Sequence, residues 1–253
     1  MRSLGRVPHE DPEAPALVLF PHAGGSANFY RQLAAGFPPA LRIRVVQYPG
    51  RETRVGEDLV DDMTTLADRA AAALRPLLGA PLALFGHSMG ALVAYEVARR
   101  LESDGTTPDR LFASARHAPV PGRRPAHRHH QLDDERFTEV LRRTGGTPAA
   151  LLDNAEMRDY VLPIVRNDYR LLETYVPAPG PPLRTPVVSI AAEGDGTVTE
   201  EQVALWGRTT EGAHEHLTYP GGHFYLLERP AELTGAVLAR LPRHTARARA
   251  ATP

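Results

Sequence analysis

The chain has 253 residues, with 29 basic and 30 acidic side chains, a formal net charge of −1 and 42% hydrophobic residues. This composition suits the core of one α/β domain, argues against disorder, and gives no global signal for binding nucleic acid or a membrane. The absence of cysteine excludes disulfides and thiolate nucleophiles, and the absence of lysine excludes a Schiff base.

The N-terminal segment 1–13 is polar and lacks the apolar stretch of a signal peptide. No apolar run is long enough to span a membrane. We therefore expect a cytoplasmic protein, which we take to be a monomer.

Predicted strands and helices alternate along most of the chain. Apolar runs predict strands, and apolar residues at helical spacing predict helices. The strands are expected at 16–20, 41–47, 81–86, 110–115, 186–192 and 216–219, and the helices at 28–36, 63–78, 89–101 and 230–241. This alternation predicts a mostly parallel sheet with helices on both faces.

The long segment between the fourth and fifth predicted strands contains no further strand pattern. Helical patterns cover 132–143, 149–153 and 155–175. We interpret residues 116–185 as a helical lid inserted into a single domain spanning 1–253. The Arg- and Ala-rich tail, 243–253, is expected to be disordered.

A Gly-His-Ser-Met-Gly motif at 86–90 lies between a predicted strand and a predicted helix. This is the context of a nucleophile elbow, in which a sharp turn lifts a serine hydroxyl above the sheet edge. The motif predicts Ser88 as a catalytic nucleophile. We interpret the neighbouring His87 as a packing residue.

A serine nucleophile needs a base and an acid that orients the base, and in this architecture they follow in the order Ser, Asp or Glu, His. His223 lies on a Gly-rich turn before the last helix, and Asp195 follows the strand at 186–192. We predict His223 as the base and Asp195 as the acid, with Glu193 as the open alternative.

The oxyanion of the tetrahedral intermediate needs backbone N–H donors that are already in place. The N–H of Met89, directly after the nucleophile, is one candidate. The Pro-His-Ala-Gly-Gly turn at 21–25 supplies the other, for which we choose the N–H of Ala23. The histidine groups at 127–130 and 214–216 lack the spacing of a metal site, so no metal is expected.

Several segments together resemble the type II thioesterases that accompany modular polyketide and non-ribosomal peptide synthetases. They lie at 20–26, 48–52, 86–91, 145–148, 162–163, 166–175, 195–206 and 222–226. The resemblance covers about residues 16–240. The chain departs from the family pattern at Ala192, where glycine is usual, and at Gly196, where proline is frequent.

The resemblance implies an α/β-hydrolase fold and hydrolysis of acyl groups from the phosphopantetheine arm of acyl or peptidyl carrier proteins, with no cofactor of the enzyme's own. It also implies that the lid shapes the acyl chamber. Its apolar residues Met157, Val161, Ile164, Leu171 and Leu172 are candidates for the chamber wall, and packing of the lid onto the core is the alternative for each.

The segment 116–130 carries Arg116, Arg123, Arg124 and Arg128 without any acidic residue. We interpret it as a surface that meets an acidic carrier protein or the phosphate of the arm. Two other functions stay open: a general carboxylesterase and a chain-releasing or cyclising thioesterase. The presence of Ser88, Asp195 and His223 argues against a third, a non-catalytic carrier-protein binder.

Overall fold

The computed structural model describes residues 11–122 and 126–242 and the backbone of residues 2–3. The predicted disordered tail, 243–253, lies outside the described residues. The sheet has the spatial order β1-β3-β2-β4-β5-β6-β7. Its strands are β1 (Arg2–Ser3), β2 (Ala16–Phe20), β3 (Arg42–Val45), β4 (Leu82–His87), β5 (Arg110–Ser114), β6 (Val187–Ala192) and β7 (His214–Tyr219). Strands β2 to β7 pair in parallel, and β1 pairs antiparallel with β3 at the edge.

Helices cover both faces of the sheet, which explains why every residue of β2, β4 and β6 is buried. The helices are α1 (Arg31–Ala35), α2 (Met63–Leu74), α3 (Met89–Ser103), α4 (Asp134–Thr144), α5 (Ala149–Asp153), α6 (Ala155–Thr174), α7 (Glu200–Ala204), α8 (Tyr225–Glu228) and α9 (Pro230–Leu238). Helices α2 and α3 pack on one face around buried Trp206, and α1, α8 and α9 pack on the other.

Several predicted boundaries were wrong by a few residues. Helix α1 begins at Arg31 because residues 28–30 form a turn, and α2 ends at Leu74 because a 3₁₀ turn at Arg75–Leu77 contains a proline. Strand β5 stops at Ser114, where Ala115 takes a φ of 50°. The short elements β1, α7 and α8 were not predicted, since so few residues carry little periodic signal.

The predicted helical insertion consists of α4, α5 and α6, and the described residues between β5 and β6 form no named strand. Asp133 and Asn154 cap the N-termini of α4 and α6 with their side chains, and Gly145 ends α4 at a φ of 81°. The lid has a small core of its own, formed by Phe137, Leu141, Leu152, Leu162 and Val165. Among the described helices, none combines the length and the apolar character that crossing a membrane requires.

Candidate active site

Ser88 lies between the end of β4 and the start of α3, with φ 54° and ψ −116°. Such a conformation is rare for a residue with a side chain and marks strain of the kind found at functional sites. The turn is possible because the flanking glycines leave room. A Cβ on Gly90 would lie 1.9 Å from the carbonyl oxygen of Phe20, and one on Gly86 would lie 2.1 Å from that of Gly90. The predicted elbow geometry is therefore present.

His223 and Asp195 come together from two loops at the carboxyl ends of β6 and β7. His223 Nδ1 lies 2.7 Å from Asp195 Oδ2, and the Asp195 side chain is fully buried. Glu193, the alternative acid, is exposed and makes no side-chain hydrogen bond within the described part of the chain. The geometry therefore favours Asp195 as the partner of the imidazole.

Thr197, which the sequence reasoning missed, completes this pair. Its N–H and hydroxyl both donate to Asp195 Oδ1, at 2.8 and 2.7 Å, and its hydroxyl oxygen lies 2.9 Å from His223 Nδ1. Since the threonine proton is directed to Asp195, its oxygen can accept from an Nδ1–H. This arrangement favours the tautomer whose unprotonated Nε2 can act as a base. The sequence signal that could have identified Thr197 is the Asp-x-Thr spacing, which is typical of a turn in which an aspartate side chain accepts hydrogen bonds from the residue two positions later.

The same contacts determine the charge of Asp195. Burial by itself would raise the pKa of this carboxyl. The hydrogen bond and charge of His223, together with both donors from Thr197, outweigh burial and lower the pKa below its ordinary value. Asp195 is therefore an anion at neutral pH.

Ser88 and His223 form no hydrogen bond with each other. The imidazole of His87, directly before Ser88, lies 5.1 Å from that of His223 between ring centroids. Within the described residues the Ser88 hydroxyl has no hydrogen-bond partner. Loose contacts between nucleophile and base are common in unliganded sites and tighten with substrate.

The loop at 21–25, which we call the oxyanion loop, is fixed beside the elbow by several hydrogen bonds. The Tyr48 hydroxyl donates to the carbonyl of Pro21 at 3.1 Å, and the Tyr30 hydroxyl lies 3.1 Å from His22 Nδ1. The N–H groups of Ala23 and Met89 form no hydrogen bond with any described residue. Both predicted donors are thus available to an oxyanion.

A buried ion pair joins the oxyanion loop to the lid. Arg51 and Asp168 form a bidentate pair at 2.6 and 2.8 Å, and both side chains are at most 5% exposed. Asp168 Oδ2 also accepts the N–H of Gly24 at 2.7 Å, and Arg51 donates to the carbonyl of Gly25. Burial alone would lower the pKa of Arg51, but the charge and hydrogen bonds of Asp168 raise it.

Sequence reasoning did not identify this pair, although each residue lies in a segment that carried the family resemblance. Its members are 117 positions apart, and no periodic signal connects them. Lid helix α6 supplies Asp168, and it also places Val165 against Gly24, where an added Cβ would lie 2.7 Å from Val165. The lid therefore contributes directly to the shape of the oxyanion loop.

Two further histidines are buried next to His223. Burial, followed by the charge of His223, lowers the pKa of His22 to about 3, and the same causes lower that of His87 well below its ordinary value. Phe224 packs against both rings, and His87 Nδ1 bonds to the Ser114 hydroxyl at 2.9 Å. Both histidines are neutral at physiological pH, and their lowered pKa values make them weak proton acceptors. The pairing with Asp195 therefore favours His223 as the base. His87 packs as predicted.

The predicted chamber residues differ in their surroundings. Met157 is 45% exposed, Val161 is half-buried against the lid core, and Ile164 is buried. Leu171 is fully buried in the core around α2 and α3, together with Leu172, so the structure favours a packing role for these two. Lining of the acyl chamber stays a prediction for the others.

The proposed basic surface at 116–130 stays a prediction. Arg116 is partly exposed, with its Nε inaccessible to solvent. Arg128 donates to the backbone of Glu173, and Arg123 and Arg124 lie outside the described residues. His129 and His130 also bond to Glu173, while His214 and His216 bond to Ser189. Within 11–122 and 126–242, no group of three or more potential ligands could hold a metal ion.

Comparison with known proteins adds independent observations. A family model described as the thioesterase domain matches residues 15–242. The chain is 40% identical over 227 residues to the "Probable cadicidin biosynthesis thioesterase" of Streptomyces griseus, covering 90% of this chain and 62% of that protein. It is 40% identical over 222 residues to "Thioesterase PikA5" of Streptomyces venezuelae, covering 87% and 78% of the two chains.

Solved structures similar to this chain are also described as thioesterases. The type II thioesterase BorB from the borrelidin biosynthetic cluster superimposes with a TM-score of 0.84 at 41% identity, over 92% of this chain and 94% of that one. YbtT, a type II thioesterase from the yersiniabactin pathway, gives a TM-score of 0.85 at 29% identity, over 95% and 97%. The fold class predicted from the sequence is confirmed.

Proposed function

Because the chain belongs to the thioesterase family, as a type II thioesterase of polyketide and non-ribosomal peptide pathways, we propose that it hydrolyses acyl groups carried on the phosphopantetheine arm of carrier proteins. Its role would be to remove stalled or wrongly loaded short acyl groups. The observation that carries the proposal is the strained elbow at Ser88 together with the hydrogen-bonded pair of His223 and Asp195, in a chain so similar to type II thioesterases.

The acylation half of the reaction uses the site as follows. Ser88 Oγ attacks the thioester carbonyl carbon while His223 Nε2 takes the hydroxyl proton. The N–H groups of Met89 and Ala23 stabilise the oxyanion that develops on the carbonyl oxygen. Collapse of the intermediate breaks the carbon–sulfur bond, and the pantetheine sulfur leaves as a thiol with the proton from His223. Asp195 orients the imidazole and stabilises its positive charge.

Deacylation repeats these steps with water. His223 Nε2 accepts a proton from a water molecule that attacks the carbonyl of the acyl-Ser88 ester. The N–H groups of Met89 and Ala23 also stabilise the oxyanion that forms in this second step. Collapse releases the free carboxylic acid and returns the proton to Ser88 Oγ, which regenerates the enzyme.

The proposal is tested by hydrolysis of acetyl- and propionyl-loaded acyl carrier protein, followed by intact-protein mass spectrometry. We expect loss of the acyl mass and recovery of the free-thiol carrier. Ser88→Ala should reduce the rate by at least about 10⁴-fold, since the serine cannot be replaced by the remaining groups. Ser103→Ala, the same chemical change at the exposed end of α3, is the matched control and should leave the rate unchanged.

Two results would contradict the proposal. No turnover of any loaded carrier, combined with rapid cleavage of simple oxygen esters, would indicate a general carboxylesterase. Formation of a cyclic product from a long acyl chain in place of the free acid would indicate a chain-releasing enzyme.

A further inference from the structure

Ser114, at the end of β5, lies next to the nucleophile elbow and has no role in the mechanism above. It is the neighbour of His87 across the parallel pair of β4 and β5, and it is fully buried. Its backbone carbonyl accepts the N–H of Ser88 at 2.8 Å. Ser114 is therefore attached to the nucleophile through the main chain.

The hydroxyl of Ser114 joins two side chains from different parts of the site. Its Oγ lies 2.9 Å from His87 Nδ1 and 2.7 Å from the Tyr225 hydroxyl oxygen. Because a serine hydroxyl has one proton and two lone pairs, it can bond to both partners at once. His87 and Tyr225 are also fully buried, and burial raises the pKa of Tyr225, so its hydroxyl keeps its proton at neutral pH. The three side chains form one buried hydrogen-bonded chain.

Tyr225 belongs to the turn that carries the base. Its N–H donates to the carbonyl of Gly222 at 3.0 Å, which closes the turn around His223. Its ring stacks on that of Tyr219, the last residue of β7, with 5.3 Å between the centroids. Because Tyr225 is bound to the chain on both sides of His223, a contact that holds its hydroxyl also holds the turn.

The relative position of Ser88 and His223 depends on such indirect contacts. Among the described residues, no hydrogen bond joins the two. The His87 ring packs against His223 and Phe224, with 5.1 and 5.3 Å between centroids, but such ring contacts tolerate sliding. Hydrogen bonds weaken steeply when their angles change, so the two bonds of Ser114 provide a directional connection between the elbow and the turn.

We propose that Ser114 is a positioning residue, which sets the separation of nucleophile and base by joining His87 and Tyr225 through its hydroxyl. The inference rests on the proposed function, since it assumes that Ser88 and His223 act as a pair. Loss of the hydroxyl removes this connection and lets the turn shift relative to the elbow. A small displacement of reacting groups lowers the rate of the chemical step far more than it weakens substrate binding.

The experiment measures the reactivity of Ser88 without a carrier protein. A fluorophosphonate forms a bond from phosphorus to Ser88 Oγ and loses fluoride, while His223 takes the hydroxyl proton. The second-order rate constant therefore measures the alignment of nucleophile and base. It should fall about fivefold in Tyr225→Phe, which loses one hydrogen bond, and about tenfold in Ser114→Ala, which loses two. The kcat for propionyl-loaded carrier protein should fall likewise, with KM changed by less than about twofold.

A double variant shows whether the two side chains act through the same contact. Ser114→Ala combined with Tyr225→Phe should react as slowly as Ser114→Ala alone, because the contact between the hydroxyls is already lost. Multiplication of the two single effects would contradict the inference. So would changes below about twofold in both single variants.

Ser189→Ala is the matched control. Ser189 is a fully buried serine of the neighbouring strand β6, and its hydroxyl bonds to His214 and His216. This variant should lower the Tm, as Ser114→Ala does, but it should leave the phosphonylation rate and kcat unchanged. An equal fall in rate in the two serine variants would indicate a general structural effect and would overturn the role of Ser114.

Tyr225→Phe carries the test alone if Ser114→Ala does not fold, because it removes one oxygen and keeps the ring that stacks on Tyr219. A wild-type phosphonylation rate in this variant would overturn the inference. Absence of a phosphonyl group on Ser88 of the wild type would instead count against the proposed function. Phosphonylation of Ser88 without hydrolysis of loaded carriers would contradict only the proposed substrate, and the phosphonylation rates would still decide the role of Ser114.

Discussion

The nucleophile and the oxyanion loop lie side by side but are built in different ways. Ser88 is held by β4 and α3, which adjoin it in sequence, and by glycines within the same turn. The oxyanion loop is held by Asp168, 144 positions away from Gly24 on a helix of the lid. One half of the site is encoded locally, and the other half depends on where the lid lies.

This difference has a functional consequence. Movement of α6 would leave the elbow intact but would carry Asp168 and Val165 away from Gly24. The predicted donor at Ala23 belongs to that loop, so its position depends on the contacts of α6 with Gly24. A substitution at the elbow should therefore lower activity without lowering stability. A substitution at the contact between the lid and the oxyanion loop should lower both.

The largest expected effect is a loss of catalytic rate without a loss of stability. Ser88→Ala should lower kcat by at least about 10⁴-fold while the urea unfolding curve stays close to that of the wild type, because the side chain makes no hydrogen bond with described residues. A large loss of stability in this variant would contradict the view that the backbone, and not the Ser88 side chain, builds the elbow.

Asp168→Asn tests the oxyanion loop, which is the half of the site that depends on the lid. It leaves the buried Arg51 without its counter-ion, so the free energy of unfolding should fall by about 3–5 kcal/mol. The loosened oxyanion loop should lower kcat for a small thioester by about tenfold to a hundredfold, with a smaller change in KM. Urea unfolding and steady-state kinetics measure the two effects.

A double variant separates positioning from stability. Arg51→Met combined with Asp168→Leu removes both charges together and should recover much of the lost stability. The low kcat should persist, because no carboxylate accepts the Gly24 N–H. Recovery of wild-type kcat would show that the pair serves stability alone.

Thr197→Val removes one of three hydrogen bonds to the Asp195 carboxylate and the acceptor beside His223 Nδ1. We expect kcat to fall by about tenfold, at the lower end of what positioned hydrogen bonds contribute. Thr197→Ser keeps the hydroxyl and should restore most of the rate. Equal rates for the valine and serine variants would rule out a role for this hydroxyl.

The smallest effect at neutral pH concerns the buried histidines. His22 has a folded-state pKa of about 3, against 6.5 in the unfolded chain, so only the unfolded chain takes up a proton between these values. Stability from this group is complete above pH 6.5 and is lost as the pH falls towards 3. His87 is shifted in the same direction.

At pH 5 the shift of His22 should lower the free energy of unfolding by about 2 kcal/mol, and the shift of His87 should lower it further. Urea unfolding between pH 7.5 and pH 5 measures the slope, and His87→Gln should flatten it. His127→Gln, at an exposed lid position, is the matched control. An unfolding free energy that stays constant over this range would contradict the buried, neutral state of these rings.

The parts of this account that the sequence could predict are those with local signals. The alternating strands and helices, the elbow around Ser88 and the order of Asp195 and His223 follow from patterns a few residues long. The contact of Thr197 with Asp195 could also have been predicted from the sequence, because an Asp-x-Thr turn is local. The choice of Asp195 over Glu193 needed the loop geometry, since both follow the same strand.

The remaining features depend on contacts between distant segments. No spacing rule connects Arg51 with Asp168, and the chain turns at Ala115 through a positive φ that is unexpected for alanine. Leu171 satisfied an apolar lid pattern, but the sequence could not show that its side chain enters the main core. Tertiary packing decided each of these cases.

The most direct test is to locate the acyl group on the enzyme. Wild-type enzyme and His223→Ala are mixed with propionyl-loaded carrier protein, quenched at short times, and digested for peptide mass spectrometry. We expect a propionyl group on Ser88 in the wild type before turnover is complete, and no acyl-enzyme in His223→Ala, where the nucleophile lacks its base. Turnover without any propionyl-Ser88 in the wild type, or a propionyl group on another residue, would contradict the assignment of the site.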